Sequence, residues 1–203
     1  AMAISAAGVV SAGAPETAAR LAAVLGGVSN ARDGIYAAQA VAAAVSVAMV
    51  GASPVEMFDA GFAAVPPDSW THRALERARA VGRAGHDLGS ALEAIEDALM
   101  LAYWPWADLA TEAVPAAMAV FLAAGGEFAR AVPAGVRLGR DADTIGAIVG
   151  SLAGAYSGET AIPEAWKARV QVSTGRCIGF VAGQRITEVA DELARRAWER
   201  GAV

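Results

Sequence analysis

Residues 139–155 read GRDADTIGAIVGSLAGA, and the fold class turns on them. Ile145, Ala147, Ile148, Gly150, Ala153 and Gly154 are apolar or small throughout, which predicts a helix slim enough to be enclosed by other helices. Ahead of it stand Asp141, Asp143 and Thr144, three oxygen-bearing side chains within four residues. Hard cations such as Mg²⁺ take carboxylates, hydroxyls and water as ligands. The start of a helix, with its free N–H groups and positive dipole end, also favours carboxylate and phosphate. The same pattern is what N-capping selects, and spacing alone favours the cap. Two carboxylates are too few for a complete metal cage, so further ligands must come from elsewhere.

The rest of the chain fits a helical enclosure. Of 203 residues, 56% are hydrophobic, dominated by alanine, while aromatic residues reach only 6%. Alanine is the best helix former, and few segments alternate with period two, so closely packed helices in one domain are expected. The net charge of −5 disfavours a nucleic-acid partner held by a basic face. The short cluster Arg195, Arg196 and Arg200 reads as a solvated helix face. A single cysteine, Cys177, excludes an intrachain disulfide framework or a cysteine-built zinc site and reads as a small core residue. The most apolar run, 35–52, is mostly alanine with Gln39 and Ser46, which fits a buried helix better than a membrane span. No charged leader precedes an apolar run, so cytoplasm is the expected location.

In chain order, Pro15-Glu16 predicts a helix start and Gly26-Gly27 its stop. A polar turn over 29–33 leads to a long helix over 35–50. Ser53-Pro54 caps the next helix, Ser69 the one through Val81, and a further helix is expected over 88–103. Tyr103-Trp104-Pro105-Trp106 reads as an aromatic loop, either a lid over a sugar or base or a plug between helices, with the plug favoured. Helices are expected over 114–124 and 127–138, ending before the central stretch, and a short one follows Ile162-Pro163-Glu164. The last helix, 186–199, carries Ile186, Val189, Ala190, Leu193 and Ala197 on one side and the pairs Asp191–Arg195 and Glu192–Arg196 on the other. His72 and His86 read as surface residues, and Glu93 and Asp97 as a solvated face. Tyr156 reads as core packing or as a neighbour of the site.

GRDADTIGAIVGSLAGAYSG followed by AIPEAW resembles the C-terminal signature of the ADP-ribosylglycohydrolase family, which includes dinitrogenase-reductase-activating glycohydrolase and ADP-ribosyl-acceptor hydrolases. AMAISAAGVVSAG resembles the family's Ala-Met-Arg segment, and SNARDGIYAAQAVAAAVSVA its Ser/Thr-His turn with the alanine-rich helix after it. The resemblance implies an all-α, compact orthogonal helix bundle that hydrolyses the bond between an ADP-ribosyl group and an acceptor. Two Mg²⁺ (or Mn²⁺) ions orient the sugar and polarise water in such enzymes. On this resemblance Asp141, Asp143 and Thr144 are metal ligands, and metal binding displaces capping as the preferred reading. Gly139, Arg140 and Asn30 fall at substrate-binding positions.

Three departures from the family pattern accompany the match. The family's N-terminal third, with its early catalytic glutamate and a Thr/Ser-Asp-Asp run, has no counterpart, and no Asp-Asp occurs in the chain. Ala3 stands where the family has arginine, and Asn30 where it has histidine. Residues 1–203 are therefore expected to form a single α-helical domain that is the C-terminal part of a glycohydrolase domain, its N-terminal third missing or carried by a separate chain. The expected substrate is an ADP-ribose-containing or related ribosyl small molecule or modified protein. The alternatives are a non-catalytic or repurposed member acting in binding or structure, and a biosynthetic or nucleoside-type glycosidase.

Overall fold

A computed structural model describes residues 1–83, 87–176 and 178–199. Gly85, His86, Cys177 and Arg200 lie outside the described residues. Eleven α-helices are described: α1 (Ser5–Val9), α2 (Pro15–Gly26), α3 (Asp33–Ala48), α4 (Pro54–Ala63), α5 (Trp70–Gly82), α6 (Leu88–Leu99), α7 (Ala110–Ala123), α8 (Phe128–Arg137), α9 (Ala142–Ser157), α10 (Glu164–Val170) and α11 (Ile186–Glu199). Among the described residues the one β feature is an isolated bridge between Val172 and Arg185. The all-α expectation holds, and no described helix is long and apolar enough to cross a membrane.

Small residues set the packing. A Cβ on Gly8 would lie 2.7 Å from the Ala42 carbonyl oxygen, and one on Gly61 would lie 2.7 Å from that of Ala40. α1 and α4 therefore rest almost backbone to backbone on α3, where alanines bury their methyl groups with little side-chain entropy lost. Ten of the sixteen α3 residues are buried. Of the α9 residues expected to be enclosed, Ile145, Ile148 and Ala153 are buried, together with Val149 and Leu152, while Ala147, Gly150 and Gly154 are half-buried.

Four long helices begin at the same end of the bundle. Asp33 at the head of α3 accepts a hydrogen bond from the Thr71 amide at 2.7 Å, at the head of α5. Gly34, Trp70 and Ala110, from the heads of α3, α5 and α7, line one cavity. Glu112 in the first turn of α7 pairs with Arg140, just before α9. At the other end a Cβ on Gly82 would meet the Ala119 carbonyl oxygen at 3.0 Å, and the Phe121 and Tyr156 rings meet edge-on at 6.2 Å. α3, α5, α7 and α9 thus point their positive dipole ends toward one polar face.

Several expectations are corrected. α6 stops at Leu99 because Met100 turns extended and the Leu101 N–H donates to Glu112 Oε2 at 2.8 Å, not to the helix. α7 begins four residues earlier than its apolar pattern suggests. The aromatic loop is no plug, since Tyr103 is 77% and Trp106 63% exposed. His72 is largely enclosed, stacked on Phe62 with ring centroids 4.2 Å apart. On α11 the expected Glu192–Arg196 pair forms, while Arg195 pairs with Glu192 and Glu199 instead of Asp191. The apolar side of α11 is mostly open to solvent, with Ala197 its buried member.

Candidate functional site

The turn between α8 and α9 places the acidic residues. Gly139 (φ 71°) and Arg140 (φ 49°) both adopt left-handed backbone, which reverses the chain and aims Asp141 at the start of α9. Glycine takes this conformation freely, whereas arginine there is strained and must be held by its contacts. Asp141 makes no side-chain capping hydrogen bond of ordinary geometry. The Asp141 backbone, at φ −82° and ψ 55°, departs from the extended conformation usual at an N-cap, yet the Thr144 amide still favours the charged carboxylate, as it does in a cap.

The Asp143 carboxyl lies close enough to act on that of Asp141. Partial burial holds the Asp141 carboxyl above its usual range; the neighbouring Asp143 carboxyl adds to this, while the hydroxyl and amide of Thr144 oppose it. None of the ion pairs among the described residues engages Asp141 or Asp143. The guanidinium of the preceding residue, Arg140, is committed elsewhere. Its Nε donates to Glu112 Oε1, and its Nη2 donates to the carbonyl oxygens of Trp104 and Trp106, each at 3.1 Å.

The first residues of the chain meet this turn. Thr144 Oγ1 donates to Met2 Sδ at 3.8 Å. Segments that the resemblance joins across more than a hundred residues are thus neighbours. Asn30 sits one compartment away. Its Nδ2 donates to Ser29 Oγ at 2.9 Å, and it lines a cavity of about 270 Å³ with Asp33, Trp70, Asp108 and Thr111. The loop that Arg140 holds ends in that cavity wall at Asp108 and Leu109. Tyr156 lies at the opposite end of α9, about 20 Å from Asp141 by helical rise, so it packs and does not approach the acidic turn.

One residue of this region escaped the sequence reading. Glu112 is 1% exposed and binds both Arg140 and the Leu101 amide. The available signal was a lone acid at the start of the apolar run ATEAVPAAMAVFLAA, which a helix begun at Val114 leaves outside.

As a cation site the turn offers three oxygen side chains that no described Lys, Arg or His side chain pairs with, a donor set that fits a hard divalent ion. Among the described residues no group of three or more His, Cys, Asp or Glu gathers into a cage. The turn by itself is short of a complete coordination sphere, so an ion held there would need water, substrate or other residues as further ligands.

Comparison of the chain with curated proteins returns no match, and comparison with solved structures returns none. The family model described as ADP-ribosylglycohydrolase matches residues 1–202. With that match spanning nearly the whole chain, over an all-α fold, the chain belongs to the ADP-ribosylglycohydrolase family.

Proposed function

We propose that this glycohydrolase is metal-dependent and cleaves an ADP-ribosyl or related ribosyl bond, with Asp141, Asp143 and Thr144 holding Mg²⁺ or Mn²⁺. The observation that carries this reading is the carboxylate pair at the head of α9, which no Lys, Arg or His side chain among the described residues pairs with. Two like charges side by side cost free energy that a divalent cation removes. A bound ion supplies Lewis-acid polarisation of the sugar oxygens and a more acidic water.

The chain's own residues account for binding and orientation. Gly139, with nothing within 4 Å of where a Cβ would stand, leaves its backbone open to a close-lying sugar. The heads of α3, α5, α7 and α9 give the face a positive field suited to a pyrophosphate. Asn30, in the adjoining cavity, offers an amide to the same ligand. We assign no acid–base residue within residues 1–203. In this reading the chain is the C-terminal part of a cytoplasmic glycohydrolase domain, and its N-terminal third, on the same or another chain, brings the catalytic glutamate and the carboxylates for a second ion.

A second reading, a member that binds without turnover, is favoured by Ala3 and Asn30 at positions where the family has arginine and histidine. Calorimetric titration of the full gene product with Mg²⁺ and then ADP-ribose separates the two. Metal-dependent binding with hydrolysis of an ADP-ribosylated acceptor is expected. Binding without hydrolysis supports the second reading, and no heat from Mg²⁺ rejects the first.

A further inference from the structure

We propose that Arg140 is a positioning residue: clamped by Glu112, it fastens the aromatic loop 101–109 beside Asp141 and Asp143, so that Tyr103 and Trp106 form a wall of the substrate site. This deepens the proposed function and rests on it for the identity of the substrate.

Glu112 is the only buried acidic residue among those described, and, Thr111 apart, it stands in a helix that is apolar where it is enclosed. A buried charge persists only where it is paired and its remaining lone pairs are filled. Both oxygens of Glu112 are used: one accepts from Arg140 and the other from the Leu101 amide, at the point where α6 ends. Arg140 in turn spends its fork on the carbonyls of Trp104 and Trp106. One buried carboxylate and one guanidinium therefore grip the loop at three residues, 101, 104 and 106.

The loop is further braced from within. Trp104 Nε1 donates to Asp108 Oδ1 at 3.4 Å, and the Trp104 and Trp106 rings meet edge-on at 5.4 Å. Fixing its carbonyls inward leaves Tyr103 and Trp106 facing solvent. Large aromatic faces held in place at such exposure are poorly explained by core packing, and rigid aromatic groups bind at low entropic cost.

The backbone argues for function as well. Arg140 keeps a left-handed conformation that glycine would adopt without strain. Its side chain is what the position needs, since a turn alone would be better served by glycine. Because Arg140 is bonded directly to Asp141, the same residue sets the loop and the start of the acidic turn.

The test compares wild-type full gene product with the double variant E112Q/R140G and with R140K. The double variant removes the clamp without stranding a buried charge and relieves the strained backbone; R140K keeps the charge and loses the fork. In E112Q/R140G, chymotryptic cleavage after Tyr103 and Trp106 should rise about tenfold, and Trp fluorescence should shift to the red. The KM for an ADP-ribosylated acceptor should rise about tenfold with kcat within about threefold. R140K should fall between the two proteins on every readout, and it alone decides if the double variant does not fold. Unchanged loop cleavage overturns the clamp, and faster cleavage with unchanged KM overturns the loop's place in the site. Failure of the wild type to bind ADP-ribose or to turn over overturns the functional reading and the substrate wall together, while loop cleavage still judges the clamp.

Discussion

The two ends of α9 are built to opposite standards. At its tail, Gly158 stops the helix in left-handed backbone, Tyr156 packs edge-on against Phe121, and Ser157 Oγ donates to the Gly126 carbonyl at 3.2 Å. At its head, two left-handed residues precede the helix, one of them arginine, and two carboxyls act on each other with no cationic side chain paired to either. The tail spends its residues on packing, while the head keeps strain and like charge close together. Such features persist where a function needs them.

The comparison breaks most directly at the head. Asp141→Ala or Asp143→Ala in the full gene product should abolish the heat of Mg²⁺ binding and lower turnover by about 10³-fold, ~4 kcal/mol in barrier. The folded protein should otherwise be little harmed, because neither carboxylate makes a capping hydrogen bond of ordinary geometry or a side-chain ion pair among the described residues. Either variant retaining wild-type turnover would remove the site from the head of α9.

At the tail the expected loss is in stability. Gly126 has φ 77°, and a Cβ there would lie 2.6 Å from the Tyr156 ring. Gly126→Ala should cost roughly 2–3 kcal/mol, from the backbone conformation and the overpacking together. Urea unfolding would show this as a lower midpoint with the same slope. Mg²⁺ affinity of the folded fraction should be unchanged, and a matching loss of affinity would show that the two ends are not independent.

A smaller effect separates charge from packing at the head itself. The Asp141 carboxyl lies above its ordinary range mainly through burial, with the Asp143 carboxyl adding to it. A carboxyl that titrates higher folded than unfolded stabilises the protein below its unfolded value and loses that contribution as pH rises through the folded one. Without metal, Asp141→Asn should therefore be more stable than wild type at neutral pH, and the difference should vanish toward acid. Water reaches this group, so the gain should stay below about 1 kcal/mol. Thermal unfolding at pH 7 and at pH 3, in EDTA, checks the sign, and adding Mg²⁺ should reverse the order at neutral pH.

How much of this the sequence could show depends on the range of the interaction. The buried helices α3 and α9 are legible because each is a local run of alanine, glycine and branched residues. The carboxylate pair is legible because its residues are two apart. The commitment of Arg140 is not, since its partner is 28 positions away and its two carbonyl acceptors lie in a loop 34 and 36 positions away. The early end of α6 has the same cause: nothing within 88–103 announces that a side chain eleven residues on will take the Leu101 amide. The enclosure of His72 depends on Phe62, which belongs to another helix. The exposure of Tyr103 and Trp106 follows from carbonyls being held inward, which no apolar pattern encodes.

The smallest expected effect tests whether the tail of α9 has any share in the site. The sequence leaves Tyr156 open as a site neighbour or a packing residue, and the structure places it at the far end of the helix, its ring on Phe121. Its hydroxyl makes no hydrogen bond among the described residues, and the side chain is partly exposed. Tyr156→Phe keeps the ring contact and removes only the hydroxyl, so stability should change by less than about 0.5 kcal/mol. Turnover and Mg²⁺ affinity should match wild type within about twofold. A drop of tenfold or more in turnover, with stability unchanged, would mean that the tail reaches the reacting groups through a segment outside residues 1–203. The division between a packed tail and a working head would then fail.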